Sequence, residues 1–129
     1  MINSHAYDYI DVLDKAADAS WKREQLITNN IANVDTPGYK RQDLDFESTL
    51  KQELGKSQYV TLDDKIKNTN LNNLEAETYT DYAGFSYRED KNNVDIDTEN
   101  VELASEQLRY NAISNSLTNE LNRLKSVIS

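Results

Sequence analysis

Cysteine is absent from this chain, and histidine and proline occur once each. Without cysteine there is no disulfide, no thiolate nucleophile and no thiolate metal ligand. The single histidine, His5, stands apart from the converging groups that a catalytic triad needs, and reads as a solvated or interface residue. The three glycines, Gly38, Gly55 and Gly84, lie too far apart to form a phosphate-cradling loop. No apolar stretch approaches the ~18 residues of a membrane span. No basic n-region with an apolar core and a cleavage site opens the sequence, so the expectation is a chain that is cytoplasmic or exported with its N-terminus intact. Basic runs are also missing, since Lys22-Arg23 and Lys40-Arg41 are the longest. With 14 basic against 23 acidic residues the net charge is -9, which repels a phosphate backbone or an anionic bilayer and excludes both as partners.

What is present concentrates at the two ends. The 129 residues fit one domain, but 37% hydrophobic content and a mean hydropathy of -0.82 are low for a large core. From Ile10 to Val34, the positions Ile10, Leu13, Ala17, Ser20, Glu24, Ile27, Ile31 and Val34 alternate three and four apart, and six of the eight are apolar. This is the spacing of a coiled-coil seam. Ala16, Ala17 and Ala19 smooth one part of its surface, and no glycine or proline interrupts it. A helix of ~30 residues reaches ~45 Å and cannot bury such a seam against itself, so it needs a partner. A second segment, Thr98 to Ile128, repeats Leu103, Tyr110, Ile113, Leu117, Leu121, Leu124 and Ile128 at helical spacing, beside a stripe of Val101, Ala104, Leu108 and Ala112. The doubled stripe is wider than one seam requires and predicts more than one neighbouring helix. Asp97 or Thr98 is the expected N-cap, Glu99 and Glu102 put negative charge in the first turns, and Arg123 and Lys125 have the complementary sign near the far end.

The residues between these segments differ in character. Thr36-Pro37-Gly38-Tyr39 predicts a type II turn, because proline presets φ at its second position and glycine tolerates positive φ at its third. Phe46, Leu50 and Leu54, four apart, predict a short helix ending at Gly55. The asparagine-rich residues 68–73 are expected to be a mobile loop. Phe85-Ser86-Tyr87-Arg88 and Val94-Asp95-Ile96 alternate around Asp90-Lys91-Asn92-Asn93 and predict a hairpin. Asp95, Asp97 and Glu99 alternate like the start of a calcium loop, but the central glycine and the distal glutamate are missing, and a helix-capping acidic stretch accounts for them better.

The run Asn29-Asn30-Ile31-Ala32-Asn33-Val34-Asp35-Thr36-Pro37-Gly38-Tyr39-Lys40 resembles the N-terminal signature of the flagellar rod, hook and hook-junction proteins. In that family a long helix ends in Asn-Ile-Ala-Asn and a Pro-Gly turn follows. Asp43-Leu44-Asp45-Phe46-Glu47, Asn93-Val94-Asp95-Ile96-Asp97, Glu102-Leu103-Ala104 and Tyr110-Asn111-Ala112 narrow the resemblance to the small subunits of the proximal rod, whereas residues 56–84 carry none of it. The resemblance implies a mainly α fold in which two long terminal helices, within residues 1–35 and 97–129, form an antiparallel coiled coil lining a tube. Residues 36–96 then connect them through a turn, a short helix and a variable loop. It further implies a torque-transmitting, non-catalytic subunit of the basal-body rod without cofactor or metal. The implied partners are further copies of itself, other rod proteins, and the adaptor and export-gate components at the base.

On this basis subunit packing is expected through Ile10, Leu13, Ala17, Ile27, Ile31, Val34, Leu103, Leu108, Tyr110, Ile113, Leu117, Leu121, Leu124 and Ile128. Asn30, Ile31, Ala32, Asn33, Thr36, Pro37, Gly38 and Tyr39 carry the signature. Phe46 and Leu50 have the Phe-x-x-x-apolar spacing of the element that docks early flagellar export substrates on the export gate. The competing class is a cytoplasmic helical chaperone or adaptor that presents an apolar groove to a client.

Overall fold

The computed structural model describes residues 4–82 and 88–128. It is mainly helical. Helix α1 spans Ser4–Ala32, strand β1 Gln42–Asp43, helix α2 Phe46–Gly55, helix α3 Leu62–Lys67, strand β2 Tyr79–Thr80 and helix α4 Ile96–Ile128, with a 3-10 turn at Leu71–Asn73. The 29 residues of α1 and the 33 of α4 lie side by side and run antiparallel, since Ser20 bonds to Glu106 and Asn30 to Glu99.

The signature ends α1 through its own side chains. The Asn33 amide nitrogen Nδ2 donates to the Asn29 carbonyl at 2.8 Å, and Thr36 Oγ1 donates to Asn33 Oδ1 at 3.1 Å. Helix therefore stops at Ala32, two residues before the end of the periodic segment, and Val34 sits half-buried in the turn that follows. The Tyr39 amide closes on the Thr36 carbonyl at 3.2 Å with Gly38 at φ 74°, which is the expected type II turn. Short strands β1 and β2 then pair antiparallel, Gln42 opposite Thr80 and Asp43 opposite Tyr79.

Helix α2 has the expected bounds, with Asp45 as N-cap accepting from the Ser48 amide at 3.0 Å and Gly55 as its last residue. Its apolar side packs with Val12 of α1, Ile66 of α3 and Leu74 into a satellite core joined by Tyr9, Phe46, Leu50, Leu54 and Leu71. Two polar contacts tie this lobe to α1, Tyr9 to Asp63 at 2.6 Å and Lys15 to Glu75 at 3.0 Å. The hydrogen bond to Asp63, aided by burial, pushes the Tyr9 phenol up to about 12.

Three expectations are corrected here. Residues 68–73 do not form a structureless loop: Leu71–Asn73 make a 3-10 turn, and Leu74, directly after it, is buried. The asparagines serve as local caps, with Asn70 Oδ1 accepting from the Asn72 amide at 3.0 Å. The hairpin expected around residues 90–93 falls partly outside the described residues at 85–87, while Val94 and Asp95 are not in a strand and Ile96 opens α4. The N-cap of α4 is Asp95, whose Oδ1 accepts from the Asp97 and Thr98 amides at 3.1 and 3.3 Å, rather than Asp97 or Thr98. The helix-capping assignment for the acidic stretch stands, with its first residue as the cap.

Candidate assembly interface

Where α1, the signature turn and α4 meet, the chain buries charge rather than aliphatic surface. Arg23 lies one turn before Ile27 on α1. It donates through Nε to Asp43 Oδ1 at 2.7 Å, through Nη1 to Glu106 Oε2 at 2.8 Å and through Nη2 to Glu102 Oε2 at 2.9 Å. Arg41, just before β1, donates through Nε to Glu99 Oε1 at 2.5 Å, through Nη1 to Asp81 Oδ2 at 3.1 Å and through Nη2 to Asp43 Oδ2 at 2.9 Å. Asp43 thus bridges both guanidiniums, and Ser20 Oγ donates to the other oxygen of Glu106 at 2.7 Å. Glu99 and Glu106 are 1% and 2% exposed. Carboxylates so buried require pairing on nearly every lone pair, which the planar forks of two arginines supply.

Asn30 explains why the signature needs an amide at that position. Its Nδ2 donates to the Gln42 carbonyl at 2.8 Å and to Glu99 Oε2 at 3.3 Å, while its Oδ1 accepts from the Gln42 amide at 2.9 Å and the Tyr39 hydroxyl at 3.0 Å. One side chain, with no exposed surface, therefore fastens α1, β1 and α4 together. Asn92 performs the same service from the other side. Its Nδ2 lies 2.8 to 3.1 Å from the carbonyls of Asn33, Val34 and Thr36, and Arg88 Nη1 donates to the Val34 carbonyl at 2.6 Å. Asn93 links the Arg41 amide, at 2.8 Å, to the Asp81 carbonyl, at 2.7 Å. The carbonyls of Asn33, Val34 and Thr36, just past the end of α1, are thus engaged by the segment leading into α4.

Burial opposes the charged form of Asp43, but hydrogen bonds from Arg23, the Leu44 amide and Arg41 outweigh it and hold its carboxyl below the usual value. Burial likewise opposes charge on Arg23 and Arg41, and their carboxylate partners more than restore it, raising both. Glu24, the acidic member of the α1 seam, moves the other way, because burial and the negative charge of Glu106 push its carboxyl up. Two guanidiniums thus serve five carboxylates, Asp43, Asp81, Glu99, Glu102 and Glu106, and the cluster keeps a net negative charge. Among the described residues no cluster of three metal-ligating side chains occurs.

The packing residues divide. In α1, Ile27 is fully buried, while Ile10, Leu13, Ala17 and Ile31 are half-buried. In α4, Leu103, Tyr110, Ile113, Leu117 and Leu124 are half-buried, whereas Leu121 and Ile128 are exposed. The adjoining stripe is bare: Val101 is 68% and Leu108 71% exposed, with Ala104 and Ala112 exposed beside them. Of the signature, Thr36, Pro37 and Gly38 face solvent, while Asn30 is buried and Tyr39 half-buried. Phe46 and Leu50 stand together in the satellite core. Sequence reasoning missed the charged hub of Arg23, Arg41, Asp43, Glu99 and Glu106, and also Asn92. A signal existed for part of it, because Glu99, Glu102 and Glu106 share one helical face with Leu103, Tyr110 and Ile113, and Arg23 falls between Ser20 and Ile27 on the other helix.

Arg23 and Asn30 lie in the stretch that carries a family. The family model described as "Flagella basal body rod protein" matches residues 23–40, from Arg23 through the signature turn. The flagellar basal body rod protein FlgB of Bacillus subtilis is 32% identical over 120 residues, which covers 92% of both chains. FlgB of Borrelia hermsii is 31% identical over 131 residues, covering 95% of this chain and 92% of the relative. That of Escherichia coli is 30% identical over 114 residues and 83% of each. The chain belongs to the FlgB family of flagellar basal body rod proteins. As a FlgB-family member it is a structural subunit of the proximal rod in the basal body, assembles with other rod components and is not an enzyme. Within the matched stretch, Asn30 joins α1 to α4 through Glu99, and the Gly38 amide donates to the Asp90 carbonyl at 2.6 Å ahead of α4.

Proposed function

We propose that this subunit enters the rod by burying the bare face of α4 against neighbouring copies and other rod proteins, with α1 and α4 acting as an antiparallel coiled-coil stem. Residues 1–35 and 97–129 make up that stem and 36–96 the connecting lobe. The observation that carries this reading is the exposure of Val101 and Leu108, with Ala104 and Ala112 between and beside them, on a helix whose opposite face is already occupied. Two large side chains and two alanines in one row form an apolar ridge with a smooth flank, which suits close helix contact. A chaperone or adaptor would instead keep a fixed stoichiometry when alone and need no neighbour over this ridge. The experiment is Leu108→Asp in cells: export and helicity are expected to persist while rods and motility are lost, and normal motility would refute the assigned face.

Export through the flagellar apparatus belongs to the same proposal. Phe46 and Leu50 dock the unfolded chain on the export gate and pack partly buried beside Val12 and Ile66 in the satellite core only afterwards. A secretion assay decides between docking and packing. Phe46→Ala is expected to accumulate inside the cell, whereas Leu54→Ala, a packing control, is exported; equal export of both removes the docking role.

A further inference from the structure

Between α1, α2 and α4 lies a groove of about 520 Å³. Ala16 and Ala19 of α1, Phe46 and Leu50 of α2, and Ile113 of α4 give it an apolar floor. Five carboxylates but only two guanidiniums line it. Arg23 takes up Asp43, Glu102 and Glu106, and Asp45 caps α2, so the groove presents its acidity at the rim through Glu47. One ion pair spans that rim, Arg109 Nη1 to Glu47 Oε1 at 2.6 Å, between side chains 44% and 69% exposed. Pairs so exposed exchange partners at little cost.

The last two turns of α4 have the complementary chemistry. From Leu121 to Ile128 there are two basic residues, Arg123 and Lys125, and no acidic one; Arg123 pairs with Glu120 at 2.9 Å, so Lys125 carries the charge this end offers. Leu121, Val127 and Ile128 are all exposed. In a chain of net charge -9, copies repel at long range, and contact between them needs a local pairing of opposite sign. This end cannot reach its own groove, because Ile113 lines the groove and the rigid helix sets Val127 about 21 Å further on.

We propose that the groove receives the end of α4 from a second copy, with Val127 and Ile128 over Phe46 and Leu50 and with Lys125 against Glu47. The two surfaces differ, so the contact is heterologous and repeats head to tail instead of closing a two-fold dimer. It presupposes the assembly proposed above and gives it a direction: each copy offers its α4 end to the next.

The absence of native cysteine makes the contact testable on the full chain. A copy with Lys51→Cys, one turn from Glu47 on α2, is mixed with a Ser126→Cys copy at about 1 mM, near the weak end of specific association, and treated with a short bis-maleimide. Cross-linking between the two is expected, weakening as salt rises. Lys125→Glu is expected to lower the yield at least tenfold, and Glu47→Lys in copies carrying it to restore association measured by sedimentation. Circular dichroism checks that each variant keeps its helix content. Copies that associate and cross-link through Leu108→Cys but not between positions 51 and 126 overturn this contact and leave the α4 stripe standing. A chain monomeric throughout overturns it as well. Rods that form normally with Leu108→Asp refute the stripe instead, whatever the cross-linking gives.

Discussion

The two long helices have comparable length and apolar spacing, yet they are used differently. Helix α1 is covered on two sides, by α4 along its seam and by the α2–α3 lobe on the flank that holds Val12 and Ala19, and it buries Val12, Ala19 and Ile27. Helix α4 buries no apolar side chain fully; its deepest residues are Glu99 and Glu106. The contrast shows that periodicity fixes which residues share a face but not which face finds cover. On α4 the charged face found cover, because two arginines from the signature region meet it, and the aliphatic stripe was left outside. Burying a large aliphatic side chain is worth roughly 1.5–3 kcal/mol, so the stripe keeps in reserve a stabilisation that only a neighbour can release.

The contrast breaks most severely at Arg23. Arg23→Ala leaves Glu106 buried without its guanidinium and is expected to cost about 3–5 kcal/mol, seen as a lower urea midpoint; a loss under about 1 kcal/mol would mean that the hub does not hold α4 in place. The same hub sets the acid limit. The Asp43 carboxyl is held below its ordinary value near 3.8, so its contribution is present above that value and is lost as pH falls through the depressed one. Next comes the covered flank of α1. Leu74→Ala is expected to cost about 2–4 kcal/mol, and deleting residues 68–73 to be comparably damaging, because both open the satellite core. Chemical denaturation measures both.

On the bare face the expectation reverses. Leu108→Asp is expected to change the unfolding free energy by no more than about 0.5 kcal/mol while abolishing rods, and electron micrographs of isolated basal bodies read the second effect. Smallest is Glu24→Gln. Burial and Glu106 raise the Glu24 carboxyl, so its charge costs stability above the raised value and the cost is relieved as pH falls through it. The substitution is therefore expected to stabilise slightly near neutral pH, within about 0.5 kcal/mol, and to lose that advantage in acid. A thermal melt series against pH detects the sign.

Much of this was legible in the sequence because it depends on local chemistry. The long helices, the type II turn at Pro37-Gly38 and the α2 helix ending at Gly55 follow from spacing, fixed φ and positive φ at single positions. The Asn-Ile-Ala-Asn motif could be recognised as a family mark, but its work could not be read from it. Asn30 matters through Gln42 and Glu99, 12 and 69 residues away in sequence. Glu99 was read as serving the helix dipole, and nothing local distinguishes a first-turn glutamate in solvent from one that meets Arg41 across the fold. Residues 68–73 depart from expectation for the related reason that polar composition hides the anchoring of the segment by Leu71, within it, and Leu74, just after it. Val101 and Leu108 were seen as part of a wide apolar face, and only the placement of α1 distinguishes the covered half from the open one.

The most direct test of the account is thiol accessibility at Leu108→Cys, the sole cysteine in an otherwise cysteine-free chain. A maleimide reagent is applied to the free subunit and to isolated basal bodies that contain the same variant. Rapid labelling of the free subunit with strong protection in the rod is the predicted result; equal labelling in both states would contradict the claim that the bare face of α4 is what assembly covers.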